Sequence, residues 1–259
     1  MRQFYALCLF FLIELISINL RAAEKPFIIS GFDDVIRQAE NTGILKAAIK
    51  ILEKDKTFSG MPELYEMLSK QEAAPKFIIV SAISTWFDGR IDNFLFDTKF
   101  PSHRRYLRNW LTQWSIEDFK ISKIKEVISE RPGRKFIVIF DNSDASLVLA
   151  NKLHEQFPNQ ILAIYLRQVV KKNMPASATS FFTAFDIALA EFVADRMTAN
   201  EVEIVGNAIL KEQETAMIFP PYSICPKGFN SCKEVSAAIF PVCEKVQFHV
   251  QSLCLRREQ

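Results

Sequence analysis

Two adjacent carboxylates, Asp33 and Asp34, close the segment Phe27-Ile28-Ile29-Ser30-Gly31-Phe32, an apolar run that turns abruptly to charge. A second apolar run, Phe136-Ile137-Val138-Ile139-Phe140, ends at Asp141-Asn142-Ser143-Asp144, and a third, Phe77-Ile78-Ile79-Val80, ends at the hydroxyls of Ser81 and Ser84. Central strands of a parallel sheet read as near-continuous apolar runs, and open α/β sheets bind ligands at the carboxyl ends of those strands. Two strands ending in acids and one ending in hydroxyls therefore predict one polar crevice whose oxygen donors suit Mg²⁺ and phosphate. A plainer reading stands beside it: Asp33 and Asp34 as capping or turn residues, and Ser81 and Ser84 as turn hydroxyls.

The elements that would position these residues alternate along the chain. Helical stripes are expected over 44–54 (Leu45, Ala48, Ile49, Leu52), 61–70, 86–96, 118–130 (Ile121, Ile124, Ile128) and 146–157, with strands at 77–80, 136–140 and 161–166 between them. Such alternation implies right-handed βαβ units and a parallel sheet. Beyond Asn173-Met174-Pro175 two further helices are expected, over 180–196 and 200–212. His103-Arg104-Arg105 with Arg108 reads as a solvated basic loop or as a receiver of an anionic headgroup. A net charge of +2 lacks the basic excess of a nucleic-acid binder, so no nucleic-acid partner is expected. The three histidines show no ligand spacing.

The termini carry different signals. Arg2, the apolar stretch 4–20 and the small residues Ala22 and Ala23 make 1–23 a secretory signal peptide, although Glu14 within the run and Arg21 near the cut leave an uncleaved membrane anchor as the alternative. A secreted or periplasmic location follows. Four cysteines, Cys225, Cys232, Cys243 and Cys254, lie close together near the C-terminus, where up to two disulfides in any of three connectivities are expected. The expected division is thus a signal at 1–23, an α/β domain at 24–172, a helical extension at 173–216 and a Cys-containing tail at 217–259.

Taken in order, Ser30-Gly31-Phe32-Asp33-Asp34, Gly60-Met61 with Leu64-Tyr65, Val80-Ser81 with Ser84-Thr85-Trp86, Leu107-Arg108-Asn109-Trp110, Lys120, Asp141 and Leu162-Ala163-Ile164-Tyr165-Leu166-Arg167 resemble the catalytic domain of the actin-patch phosphatidate phosphatases. These form a branch of the haloacid-dehalogenase-like (HAD) phosphatases, and the resemblance runs over roughly 27–170. It implies a three-layer HAD-like, Rossmann-like parallel sheet, with the helical extension and Cys tail following it. It also implies roles: Asp33 as general acid and base, Ser81 of the hydroxyl loop and Lys120 as phosphate-binding groups, with Ser84 of the same loop beside them, and Asp33 and Asp141 as ligands of Mg²⁺; where the chain departs from the family, Asp34 stands as a substitute catalytic carboxylate and Asp144 as a substitute metal ligand. Lys120 read without the resemblance belongs to a solvated helix face with Lys123 and Lys125.

This chain departs from the pattern at one position that matters most: Gly31 stands where the family has its nucleophilic Asp. Val35 replaces the motif's Thr, and Phe140-Asp141-Asn142-Ser143-Asp144 lacks the family's Gly-Asp-Ser-Gly pattern. Two functions follow from the resemblance. One is a Mg²⁺-dependent hydrolase of phosphomonoesters, lipid phosphates among them, in which Asp34 attacks or Asp33 activates water. The other is a catalytically inactive binding module for phosphate or lipid phosphate, or an exported interaction protein; in either case membrane-surface contact is a candidate partner interaction.

Overall fold

The computed structural model describes residues 24–39, 56–70, 75–113, 115–226, 232 and 235–258. The expected signal peptide, the helix expected over 44–54 and Trp114 lie outside these residues.

Six parallel strands form one sheet: β1 (Phe27–Ser30), β2 (Phe77–Ser84), β3 (His103–Arg108), β4 (Phe136–Asp141), β5 (Ile161–Arg167) and β6 (Thr179–Phe181). Their spatial order is β3-β2-β1-β4-β5-β6. The chain thus builds outward from β1 to β3, returns to the other side of β1 and builds outward again. Open α/β sheets bind ligands at such a reversal, beyond the carboxyl ends of the strands, here β1 and β4. The central strands are sealed on both faces, every residue of β4 being buried, as their apolar runs require.

Helices cover both faces, making three layers. On one face lie α3 (Ile116–Ser129) and α4 (Asp144–Gln156), whose Ile124, Val127, Ile128, Leu149 and Leu153 pack on Ile29, Ile78, Val80, Val138 and Ile164. On the other lie α1 (Met61–Ser69), α2 (Asp88–Asp97), α5 (Ala184–Val193) and α6 (Ala199–Lys211), joined by the short α7 (Thr215–Ile218) to the tail and its helix α8 (Phe240–Glu258). α6 begins in a reciprocal cap, Thr198 Oγ1 accepting from the Glu201 N–H while the Glu201 carboxylate accepts from the Thr198 N–H. α8 lies on α6 where Gly206 permits close approach: a Cβ there would meet Val242 at 2.7 Å and Phe185 at 2.9 Å.

Two segments differ from expectation. His103–Arg108 is an edge strand rather than a loop, with its basic residues on a sheet margin that charge commonly protects. Arg105 is also held by Asp88 (2.7 Å) and Asp92 (2.5 Å) of α2, so its guanidinium is spent within the fold. The helix expected from residue 180 starts at Ala184, because Thr179–Phe181 pairs with β5 and the Asp186 carboxylate takes the Thr183 N–H at 2.8 Å to begin the helix.

The four tail cysteines pair as Cys225–Cys254 and Cys232–Cys243, with Cα atoms 5.6 and 5.8 Å apart. Two disulfides fit an oxidising, extracellular compartment. No helix among the described residues is long and apolar enough to cross a membrane. Reduction of both bridges is expected to cost about 2–5 kcal/mol of stability, read as a fall in urea midpoint on adding dithiothreitol; an unchanged midpoint would contradict it.

Candidate functional site

At the β1–β4 reversal the backbone itself fixes the loop: the Gly31 N–H donates to the Ile139 carbonyl at 2.9 Å, so the loop leaves β1 still hydrogen-bonded to β4. Gly31 is a packing necessity here. A Cβ on it would sit 2.9 Å from Phe140 Cδ1 and 3.3 Å from Val35 Cγ2, so the Phe140 ring fills the space a side chain at position 31 would take.

Asp33 lies two residues on and is mostly buried, with 13% of its side chain exposed. Arg37, one helical turn later in sequence, donates from Nε (2.9 Å) and Nη2 (2.6 Å) to Asp33 Oδ1. Burial raises the Asp33 pKa above its ordinary value; Arg37 opposes that shift, while the charges of Asp34 and Asp141 add to it. Asp141 Oδ1 accepts from Ser143 Oγ (2.9 Å) and Ser146 Oγ (2.7 Å) at the start of α4. Asn142 ties this loop to the one after β5 by accepting from the Val169 N–H and donating to the Val170 carbonyl.

Asp34 is turned to a different task. It has a left-handed backbone (φ 54°), and its Oδ1 accepts from the Ala39 N–H (2.9 Å) and from the Tyr222 hydroxyl (2.7 Å). Asp144 is 92% exposed at its side chain and pairs with Lys172. Among the described residues no three His, Cys, Asp or Glu side chains gather as a metal site.

The phosphate-binding candidates come from β2 and α3. Ser81 Oγ accepts from the Ile83 N–H (3.2 Å) and Ser84 Oγ from the Trp86 N–H (3.3 Å), which leaves each hydroxyl proton to donate. Ser115 caps α3 by accepting from the Asp118 N–H, and the helix turns Lys120 inward. Lys120 is 9% exposed, has no carboxylate partner among the described residues, and lies with Nζ 4.9 Å from the Phe140 ring centroid. The ammonium lies over the ring without being sealed from solvent, a position from which it can meet an anion.

Four residues of this region carry weight the sequence reading did not give them. Arg37 was signalled by its four-residue spacing from Asp33. Phe140 was visible only as a departure from the family's glycine. Arg167, at the end of β5, is sandwiched between Phe58 (3.8 Å) and Phe181 (4.8 Å) and donates to the Val35 and Phe182 carbonyls, so it clamps the loop after β1 from below. Burial lowers its pKa to about 10, and it stays charged at neutral pH. Tyr222 had no local signal, since it reaches Asp34 from 188 positions away. Burial and the Asp34 charge push its phenol pKa up. Tyr222→Phe is expected to cost about 1–3 kcal/mol by removing a buried donor to a carboxylate, measured by urea unfolding; a loss near zero would mean water replaces the bond.

No curated protein and no solved structure matches this chain. The family described as phosphatidate phosphatase APP1, catalytic domain, matches residues 27–168, more than half of the chain, which spans β1 to β5 and the loops after β1, β2, β3 and β4. This chain therefore belongs to the APP1 phosphatidate phosphatase catalytic-domain family.

Proposed function

We propose that this protein is a phosphatidate-phosphatase relative that binds phosphomonoesters, lipid phosphates among them, without hydrolysing them. One observation carries the reading: Phe140 occupies the side-chain space at Gly31, and buried Lys120 lies over that ring with no carboxylate partner among the described residues. The attacking group is thereby replaced by a hydrocarbon plug while the anion-holding groups stay. Losing a covalent nucleophile removes several orders of magnitude of rate.

The remaining carboxylates support this over a rescued hydrolase. Asp34 Oδ1 is engaged by Ala39 and Tyr222, which commits that acid to holding the fold, and Asp33 Oδ1 is engaged by Arg37. In the bound state Lys120 neutralises the phosphoryl charge and the Ser81 and Ser84 hydroxyls donate to its oxygens.

Mg²⁺ fits what is left. The hydrogen bonds of Asp33 and Asp141 fall on Oδ1, and Mg²⁺ needs one or two carboxylates, completing its shell with water and phosphate. Asp33 and Asp141 would hold the cation through their Oδ2 atoms. When bound it would supply charge neutralisation for the phosphate and for the two acids.

Inorganic phosphate at about a hundredfold over its Kd should stabilise the fold by about 2.7 kcal/mol, with a larger shift when Mg²⁺ is present. Lys120→Met should abolish the shift. Equal melting temperatures with and without phosphate and Mg²⁺ would overturn the reading.

A further inference from the structure

Two loops at the carboxyl end of the sheet each expose a large apolar side chain. After β2, residues 85–87 form a short turn that presents Trp86, 70% exposed; after β3, the turn at 109–113 presents Leu111, 68% exposed. Between them Trp110 stands against both Trp86 and Phe87, ring centroids 6.4 Å apart in each case. Trp110 is fixed in place, donating from Nε1 to the Ala82 carbonyl at 2.9 Å with the Arg108 guanidinium 6.0 Å from its ring. These are carboxyl-end loops of parallel strands, so they rise at the same end of the sheet as Gly31, Asp141 and the Ser81 and Ser84 hydroxyls.

We propose that Trp86, Trp110 and Leu111 form a docking rim that seats the protein on an anionic lipid bilayer, so that a headgroup phosphate enters the adjoining crevice. The site of docking deepens the phosphate-binding reading and rests on it for the headgroup's destination, though not for the contact itself. Indole rings favour the membrane–water boundary, where an apolar body and a polar tip are both satisfied. One cation at this edge is open to an anionic surface: Arg90, in the first turn of α2, is exposed and has no acid partner among the described residues, while Asp88 and Asp92 share Arg105 and Glu117 pairs with Lys152. With no membrane-crossing helix among the described residues, attachment by this rim is peripheral.

The test uses the disulfide-bonded protein and vesicles of phosphatidylcholine alone, with phosphatidate, or with phosphatidylserine in its place. Flotation with both anionic vesicles is expected, together with quenching of tryptophan emission by brominated acyl chains. Trp86→Ser with Leu111→Ser, both on exposed positions, should weaken vesicle binding about tenfold or more, while the melting shift given by inorganic phosphate stays as in the parent. No flotation of the parent, or flotation equal in the double variant, would overturn the rim. So would a parent that dimerises through these residues, shown by a halved mass in the variant, because a second copy would then cover them. Flotation that depends on Trp86 and Leu111 while inorganic phosphate leaves the melt unchanged would support the rim and overturn the phosphate-binding reading alone.

Discussion

Gly31→Asp is expected to lower stability by about 2–6 kcal/mol and to create no turnover, although it restores the attacking group of the family motif. The first contribution is steric. The new Cβ lands 2.9 Å from Phe140 Cδ1, and overpacking a buried site costs about 1–3 kcal/mol. The second is desolvation, since burying a carboxylate against a phenyl ring costs about 1–3 kcal/mol more, offset in part by the Lys120 ammonium over the same ring. Phe140→Gly alone opens a cavity and should cost about 3–5 kcal/mol. The double variant should be more stable than the sum of the two losses, with a coupling of about 1–3 kcal/mol, because each change fills or vacates the space the other needs. Urea unfolding of the four proteins measures this. Strict additivity would show that Phe140 does not occupy the position-31 space in solution.

Arg37→Met should cost about 3–5 kcal/mol near neutral pH, the usual penalty for breaking a buried ion pair and stranding one charge. Its pH dependence separates this from lost packing against Phe32. In the folded protein Asp33 already has a pKa above its ordinary 3.8, so the folded state holds the proton more tightly than the unfolded one. Stability therefore falls as pH rises from 3.8 to the raised folded value. Removing Arg37 takes away the influence that lowers this pKa, raising it further and widening that window upward. The variant's deficit should be largest above the window and shrink as pH falls through it, vanishing below 3.8, where Asp33 is neutral in both states. A deficit constant with pH would assign the loss to packing instead.

What the sequence revealed of this fold follows burial. β1, β2, β4 and β5 stood out because each is covered by helices on both faces and needs apolar residues throughout much of its length. The edge strands did not. His103–Arg108 carries three basic residues and Thr179–Phe181 is only three residues long, so neither shows the apolar run that marks a central strand. The acids and hydroxyls at the strand ends were legible because they follow apolar runs, and the family resemblance added Lys120. The inner wiring of the site was not. The commitment of Asp34 to Tyr222, and the clamp of Arg167 on Val35, depend on contacts across 188 and 132 positions, which local pattern does not encode. The Phe140 plug was hidden for a different reason: Gly31 and Phe140 each read as a lost motif residue, and only their contact shows one filling the space the other leaves.

Incubating the disulfide-bonded protein with a stoichiometric soluble phosphatidate in the presence of Mg²⁺, and following it by phosphorus NMR, tests the central claim most directly. A shifted or broadened phosphomonoester resonance with no inorganic phosphate accumulating, and a return to the free resonance in Lys120→Met, is the expected result. Inorganic phosphate that accumulates with Mg²⁺ and ceases in Asp33→Asn would contradict it, and would make the protein a working phosphatase that dispenses with a side chain at Gly31.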